Sequence, residues 1–186
     1  MLIEYTISFS SDLRKRIAKA ESETERHPTP AQIKAENYKK GKVNIDGLKI
    51  SIENPKGSVR KGIDKGGKPW KIKMHNTYGY INGVKSVDGD DIDIFLSKDP
   101  SKGNVYIVDQ IKPKTGKFDE HKICYGFPNK KAAVKAYLSN YEKGWKGLGQ
   151  VTGVSKPSFL QFIKGKTIVN KPAAKYKELK EAELKN

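Results

Sequence analysis

Residues 78–96 read YGYINGVKSVDGDDIDIFL. The first four, Tyr78, Gly79, Tyr80 and Ile81, make a short aromatic strand that Asn82-Gly83 closes as a turn signal. Ile92, Ile94 and Leu96 then recur with period two, the spacing of a second strand. Between them stand Asp88, Asp90, Asp91 and Asp93, four carboxylates within six residues. Such charges repel one another unless cations sit between them. A turn running into a strand can aim Asp88, Asp90 and Asp93 at one point, and converging oxygen ligands suit Mg²⁺. A calcium EF-hand loop does not fit: counted from Asp88, the fifth position is Ile92, the sixth is Asp93 instead of Gly and the twelfth is Asp99 instead of Glu.

The same period extends outward. Val43 and Ile45, then Leu48, Ile50 and Ile52, alternate on either side of Asp46-Gly47. Trp70, Ile72 and Met74 alternate again, and residues 105–111 and 123–127 read as further strands. Residues 54–67, rich in Gly and Pro, read as a loop. Short strands bounded by turns predict an α+β, mainly β fold: a small antiparallel or mixed barrel with helices before and after it.

Before the strands, residues 1–10 are predicted as a short strand. Ser11 or Asp12 caps a helix to about Glu25, with Leu13, Ile17 and Ala20 on one face. His27-Pro28-Thr29-Pro30 breaks it. Thr29, Pro30 and Gln32 form a capping-box start to a second helix that Gly41 follows. Helices over 129–141 and 155–164, and a charged tail helical from Ala173, complete the chain. The predicted organisation is an N-terminal helical extension (1–42), a barrel domain with C-terminal helices (43–168) and a basic tail (169–186).

Composition narrows the function. The 186 residues are 35% hydrophobic and 31% charged, which excludes a wholly disordered chain. Cys124 is the one cysteine, so a disulfide framework and a cysteine-rich zinc site are excluded. No apolar run reaches a membrane-spanning length, and the N-terminus lacks a basic region followed by an apolar one, so a cytoplasmic location is expected. The net charge of +16 points to a polyanionic partner. It is uneven. Residues 88–109 hold six Asp against two Lys, whereas residues 164–186 hold seven Lys against three Glu. An acidic centre in a basic chain suits a site that binds cations and then a phosphate anion. The basic tail predicts weak, salt-sensitive nucleic-acid binding. The aromatic residues are too scattered for sequence-specific RNA reading.

Tyr78-Gly79-Tyr80-Ile81, followed after six residues by Asp88-x-Asp90-x-x-Asp93, resembles the soluble family I inorganic pyrophosphatases, with Asp91 where that family has Pro or Glu. The resemblance continues upstream in Ile52-Glu53-Asn54-Pro55 and downstream in Asp119-Glu120-His121-Lys122 and Tyr141. The run from Asn140 to Gly149, with Val108-Asp109-Gln110, resembles a divergent pyrophosphatase-like domain of phage and mobile-element proteins. The resemblance implies an OB-like barrel, Mg²⁺ as cofactor and pyrophosphate as substrate. It also implies roles. Asp88, Asp93, Asp119, Glu120 and Glu53 would hold metal, and Asp90 would accept a proton, with Tyr78 beside it. Arg60 (or Lys61), Lys73, Lys122, Tyr141, Lys143 and Lys146 would bind phosphate. Asp109 stands in for an acidic position missing near Thr115, and His121 lies beside the acidic pair. Two alternatives stand beside hydrolysis of pyrophosphate. One is hydrolysis of another phosphoanhydride. The other is a phage or virion protein that binds nucleic acid and keeps a degenerate site. Oligomers are compatible with either.

Overall fold

Alternating apolar residues lay down most of the strands where the sequence predicts them. The computed structural model describes residues 2–63 and 66–185, and for residues 2–9 the backbone alone. In chain order the elements are α1 (Leu2–Glu23), α2 (Pro30–Ala35), β1 (Gly41–Ile45), β2 (Leu48–Asn54), β3 (Val59–Ile63), β4 (Pro69–Lys73), β5 (Tyr78–Lys85), β6 (Asp91–Leu96), β7 (Asn104–Ile111), β8 (Phe118–Phe127), α3 (Lys130–Ser139), β9 (Val151–Val154), α4 (Lys156–Ile163) and α5 (Lys177–Glu181). The fold is α+β and mainly β.

Seven strands form one sheet in the order β1-β2-β5-β6-β8-β7-β9, and β3 and β4 form a separate hairpin. Neighbours are antiparallel except β6 and β8, which are parallel because β8 returns between β6 and β7. The sheet is mixed, as expected, but its outer strands β1 and β9 do not pair with one another. Among the described residues the sheet is therefore open, not a closed barrel. Gly79 is required by the close approach of β2 to β5: a Cβ there would stand 2.0 Å from the Ser51 carbonyl oxygen.

Three local expectations are corrected. The backbone over residues 2–10 belongs to α1, so the predicted N-terminal strand is helix. Residues 59–63, expected as loop, are β3, whose exposed residues leave little apolar period to read. The strand expected to stop at Asn82-Gly83 runs on to Lys85 through a register shift after Ile81. The capping box at Thr29 is present: Gln32 N–H donates to the Thr29 hydroxyl over 3.2 Å, and Thr29 N–H donates to Gln32 Oε1 over 2.9 Å.

The two faces of the sheet differ. One carries Ile50, Ile52, Ile81, Ile92, Ile94, Ile107 and Ile123 into the larger core. Leu13 and Ile17 of α1, Phe159 and Phe162 of α4, and Val169, Tyr176 and Leu179 of the basic tail join that cluster. Burying each such side chain fully contributes about 1.5–3 kcal/mol. The other face is apolar only in part. Tyr78, Phe95, Tyr106, Val108 and Cys124 pack there with Ala133 and Tyr137 of α3. Beyond the reach of α3 that face turns polar. No described helix is long and apolar enough to cross a membrane.

Candidate active site

Strand register assembles the site. Across the sheet, Ser51 pairs with Tyr80, Tyr80 with Asp93, Asp93 with Lys122, and Lys122 with Val108. The next rung on that face holds Tyr78, Phe95, Cys124 and Tyr106, which is the second core. The acidic rung thus lies directly beside buried aromatic rings. Above it opens a cleft of about 390 Å³. Asp88, Asp90, Asp93, Glu53 and Glu120 line it, together with Tyr38, Arg60, Lys61, Tyr78 and Tyr80. One wall is the β3–β4 hairpin and another is α2 with the segment around it.

Lys122 is the pivot. It is 3% exposed. Its ammonium bonds to Asp93 and lies 3.0 Å from Glu120 Oε2. Burial works against the charged form, but Asp93, Tyr78, Tyr141 and Glu120 outweigh it, so Lys122 is held well above the ordinary lysine range. Glu120 is fixed from its other side, accepting from Gln110 Nε2 over 2.9 Å. The Gln110 carbonyl oxygen accepts from the hydroxyls of Tyr137 at 2.6 Å and Tyr141 at 3.0 Å. Trp145 Nε1 donates to the Tyr137 hydroxyl over 2.8 Å, and the Trp145 ring stacks on Tyr141 with centroids 4.7 Å apart.

The carboxylates feel both burial and each other. Desolvation raises the pKa of Glu53, with Asp93 adding repulsion. Desolvation also raises Glu120, against the pull of Lys122. Asp90 is exposed, and slight desolvation and then neighbouring Asp88 push it up. The turn is self-supporting: Asp90 N–H donates to Asp88 Oδ1 over 3.1 Å. Asp91 braces the turn. It pairs with Lys85 at 2.9 Å and accepts from Gly83 N–H over 3.2 Å.

The structure brings Asp88, Asp90, Asp93, Glu53, Glu120, Arg60 and Tyr78 to the cleft, with Lys122 and Tyr141 packed beside it. It does not bring the others. Asp119 alternates to the opposite side of β8 from Glu120 and pairs with Lys112 at 3.7 Å. Lys73, Lys143 and Lys146 are exposed and line no part of the cleft. Asp109 and His121 are buried elsewhere. Asp109 accepts from Ala173 N–H over 2.7 Å, and His121 Nε2 lies 3.0 Å from the Lys171 carbonyl oxygen, so both anchor the tail. Sequence reading missed Tyr38, Tyr80 and Gln110. For Gln110 a signal existed: a polar residue in the apolar strand run, two positions after Val108 and so on the same face.

The donor set is all carboxylate oxygen, mutually repelling, in one cleft. That chemistry fits a hard divalent ion, which keeps several waters and takes one or two carboxylates. Among the described residues no group of three or more His, Cys, Asp and Glu side chains is placed to hold a metal ion as it stands. Lys122 instead holds two of the carboxylates together.

A family model for inorganic pyrophosphatase matches residues 30–164. That span is most of the chain and contains every residue of the cleft except Pro28. The chain therefore belongs to the inorganic pyrophosphatase family. No curated protein and no solved structure matches it.

The role of Gln110 has a direct check. Gln110→Leu removes a partner from Glu120 and from the hydroxyls of Tyr137 and Tyr141. Each buried group left unpaired costs about 1–3 kcal/mol. Urea unfolding of the variant should show a loss of at least that size. A midpoint equal to that of the unsubstituted chain would show that the network holds nothing.

Proposed function

We propose that the chain hydrolyses inorganic pyrophosphate to phosphate with Mg²⁺ as cofactor. The observation that carries this is the joint lining of one cleft by a cluster of carboxylates, Asp88, Asp90, Asp93, Glu53 and Glu120 among them, and the Arg60 guanidinium, in a chain of this family. Asp88, Asp93, Glu53 and Glu120 would hold the metal. When bound, Mg²⁺ would neutralise phosphoryl oxygens and acidify water. Asp90, held at the turn by its own N–H bond to Asp88, accepts the proton of the attacking water. Arg60, 4.7 Å from the Tyr78 ring centre, meets the charge of the substrate. Lys122 keeps Asp93 and Glu120 side by side against their repulsion. Tyr78 walls the cleft from below and excludes water from the acidic rung.

The test is metal-linked stability. Mg²⁺ binds the folded site and not the unfolded chain, so millimolar Mg²⁺ should raise Tm. The effect has a sign in pH. Glu53, Asp90 and Glu120 hold protons to higher pH in the folded state than when unfolded. Without metal, the cluster therefore costs stability as pH rises beyond the ordinary carboxylate range. Mg²⁺ relieves that cost and competes with those protons. The Tm gain should be larger at about pH 7.5 than at about pH 5. A melting curve indifferent to Mg²⁺ at both pH values would remove the metal from the account.

A further inference from the structure

Pyrophosphate carries no carbon, yet the cleft has an apolar and aromatic wall. Ile33, Val59 and Trp70 line it while remaining 37%, 42% and 36% exposed. They come from two separate elements, α2 and the β3–β4 hairpin. Large apolar side chains kept in water beside an anion site gain nothing from a purely ionic substrate. The Trp70 indole is held in place: it lies across the strand pair on Gly62, where an added Cβ would stand 2.4 Å from the ring. Arg60 joins the two halves of the cleft, 5.7 Å from the Trp70 ring centre and 4.7 Å from that of Tyr78. An aromatic face with a guanidinium beside it is a stacking platform for a nucleobase. The volume, about 390 Å³, lies in the range of sites for small organic ligands.

We infer that this cleft takes a nucleoside 5′-diphosphate, its base on the wall of Trp70, Val59 and Ile33 and its phosphates over the carboxylates. The inference rests on the phosphoanhydride reading above. A nucleoside diphosphate is pyrophosphate with one terminal oxygen esterified, so the bond to be broken is the same. The water oxygen bonds to the terminal phosphorus, and the bridging P–O bond breaks. The bridging oxygen leaves on the nucleoside monophosphate, the terminal group leaves as phosphate, and the water proton passes to Asp90.

The test is calorimetric titration of the 186-residue chain in Mg²⁺ with two non-hydrolysable probes, adenosine 5′-(α,β-methylene)diphosphate and methylene diphosphonate. The nucleoside probe should bind about tenfold more tightly, the scale of one base stacked on an aromatic ring. Trp70→Ala should erase that advantage. Should Trp70→Ala disturb the hairpin and weaken both probes together, Ile33→Ser, on a different element, decides: it should weaken the nucleoside probe more than the diphosphonate. Equal affinity of the two probes, or an advantage that survives both substitutions, overturns the inference. So does a wall that proves to be a contact between two copies, seen as a dimer that Trp70→Ala dissociates with the two probes binding alike. None of these outcomes touches the pyrophosphatase reading, which fails separately if pyrophosphate is not hydrolysed.

Discussion

Lys122→Met should abolish hydrolysis and cost about 3–5 kcal/mol of stability, the scale for breaking a buried ion pair by removing one partner. The reason is local. Lys122 is enclosed between Asp93 and Glu120, and its removal leaves two carboxylates facing one another in a desolvated rung. Urea unfolding at about pH 7 measures the cost, and part of it should return at about pH 5 as a carboxylate takes up a proton. A triple variant adding Asp93→Asn and Glu120→Gln removes the repulsion as well as the pairing. It should regain much of the stability, because a buried charge cluster contributes little net once desolvation is counted. It should not regain hydrolysis, because the oxygens proposed to hold metal are gone. A Lys122→Met variant as stable as the starting chain would mean that the buried triad is not what organises the site.

Asp90→Asn should do the reverse, sparing the fold and losing the rate. Asp90 is exposed at the turn, its own backbone N–H is already satisfied by Asp88, and no salt bridge involves it among the described residues. Surface substitutions of this kind stay within about 0.5 kcal/mol. Loss of a general base costs roughly 10²–10⁴ in rate. Steady-state phosphate release should therefore fall by that factor while the Mg²⁺-induced rise in Tm is largely kept. Asp93→Asn provides the contrast, losing rate and the Mg²⁺ response together. If Asp90→Asn turned over pyrophosphate at the original rate, proton transfer would have to be assigned elsewhere.

Much of this site was legible in the sequence because a strand has a period of two. Asp88, Asp90 and Asp93 sit on a turn and the strand it enters, and no tertiary knowledge is needed to put them near one another. Glu53 and Arg60 could be named but not positioned, since their distance from Asp93 depends on how β2 and the hairpin meet β5. Asp119 failed for a physical reason. Neighbouring residues of a strand face opposite ways, so Asp119 and Glu120 cannot both enter one cleft. Lys73, Lys143 and Lys146 follow from the resemblance by position along the chain, and position along the chain does not say where a flexible exposed lysine points. The hairpin β3–β4 was invisible because its exposed residues carry no one-sided apolar pattern. In sequence the tail reads as a charged, basic segment. Its Val169, Tyr176 and Leu179 are too widely spaced among lysines to announce that they complete the core.

We propose the acidic rung of β6, with the carboxylates around it, as a working phosphoanhydride site. The measurement that tests it most directly is the initial rate of phosphate release from pyrophosphate by the purified chain, across Mg²⁺ concentrations from none to millimolar, beside Asp93→Asn. Release should require Mg²⁺, saturate with it, and be lost in Asp93→Asn. Absence of release at every Mg²⁺ concentration, or release at an equal rate from Asp93→Asn, would contradict it.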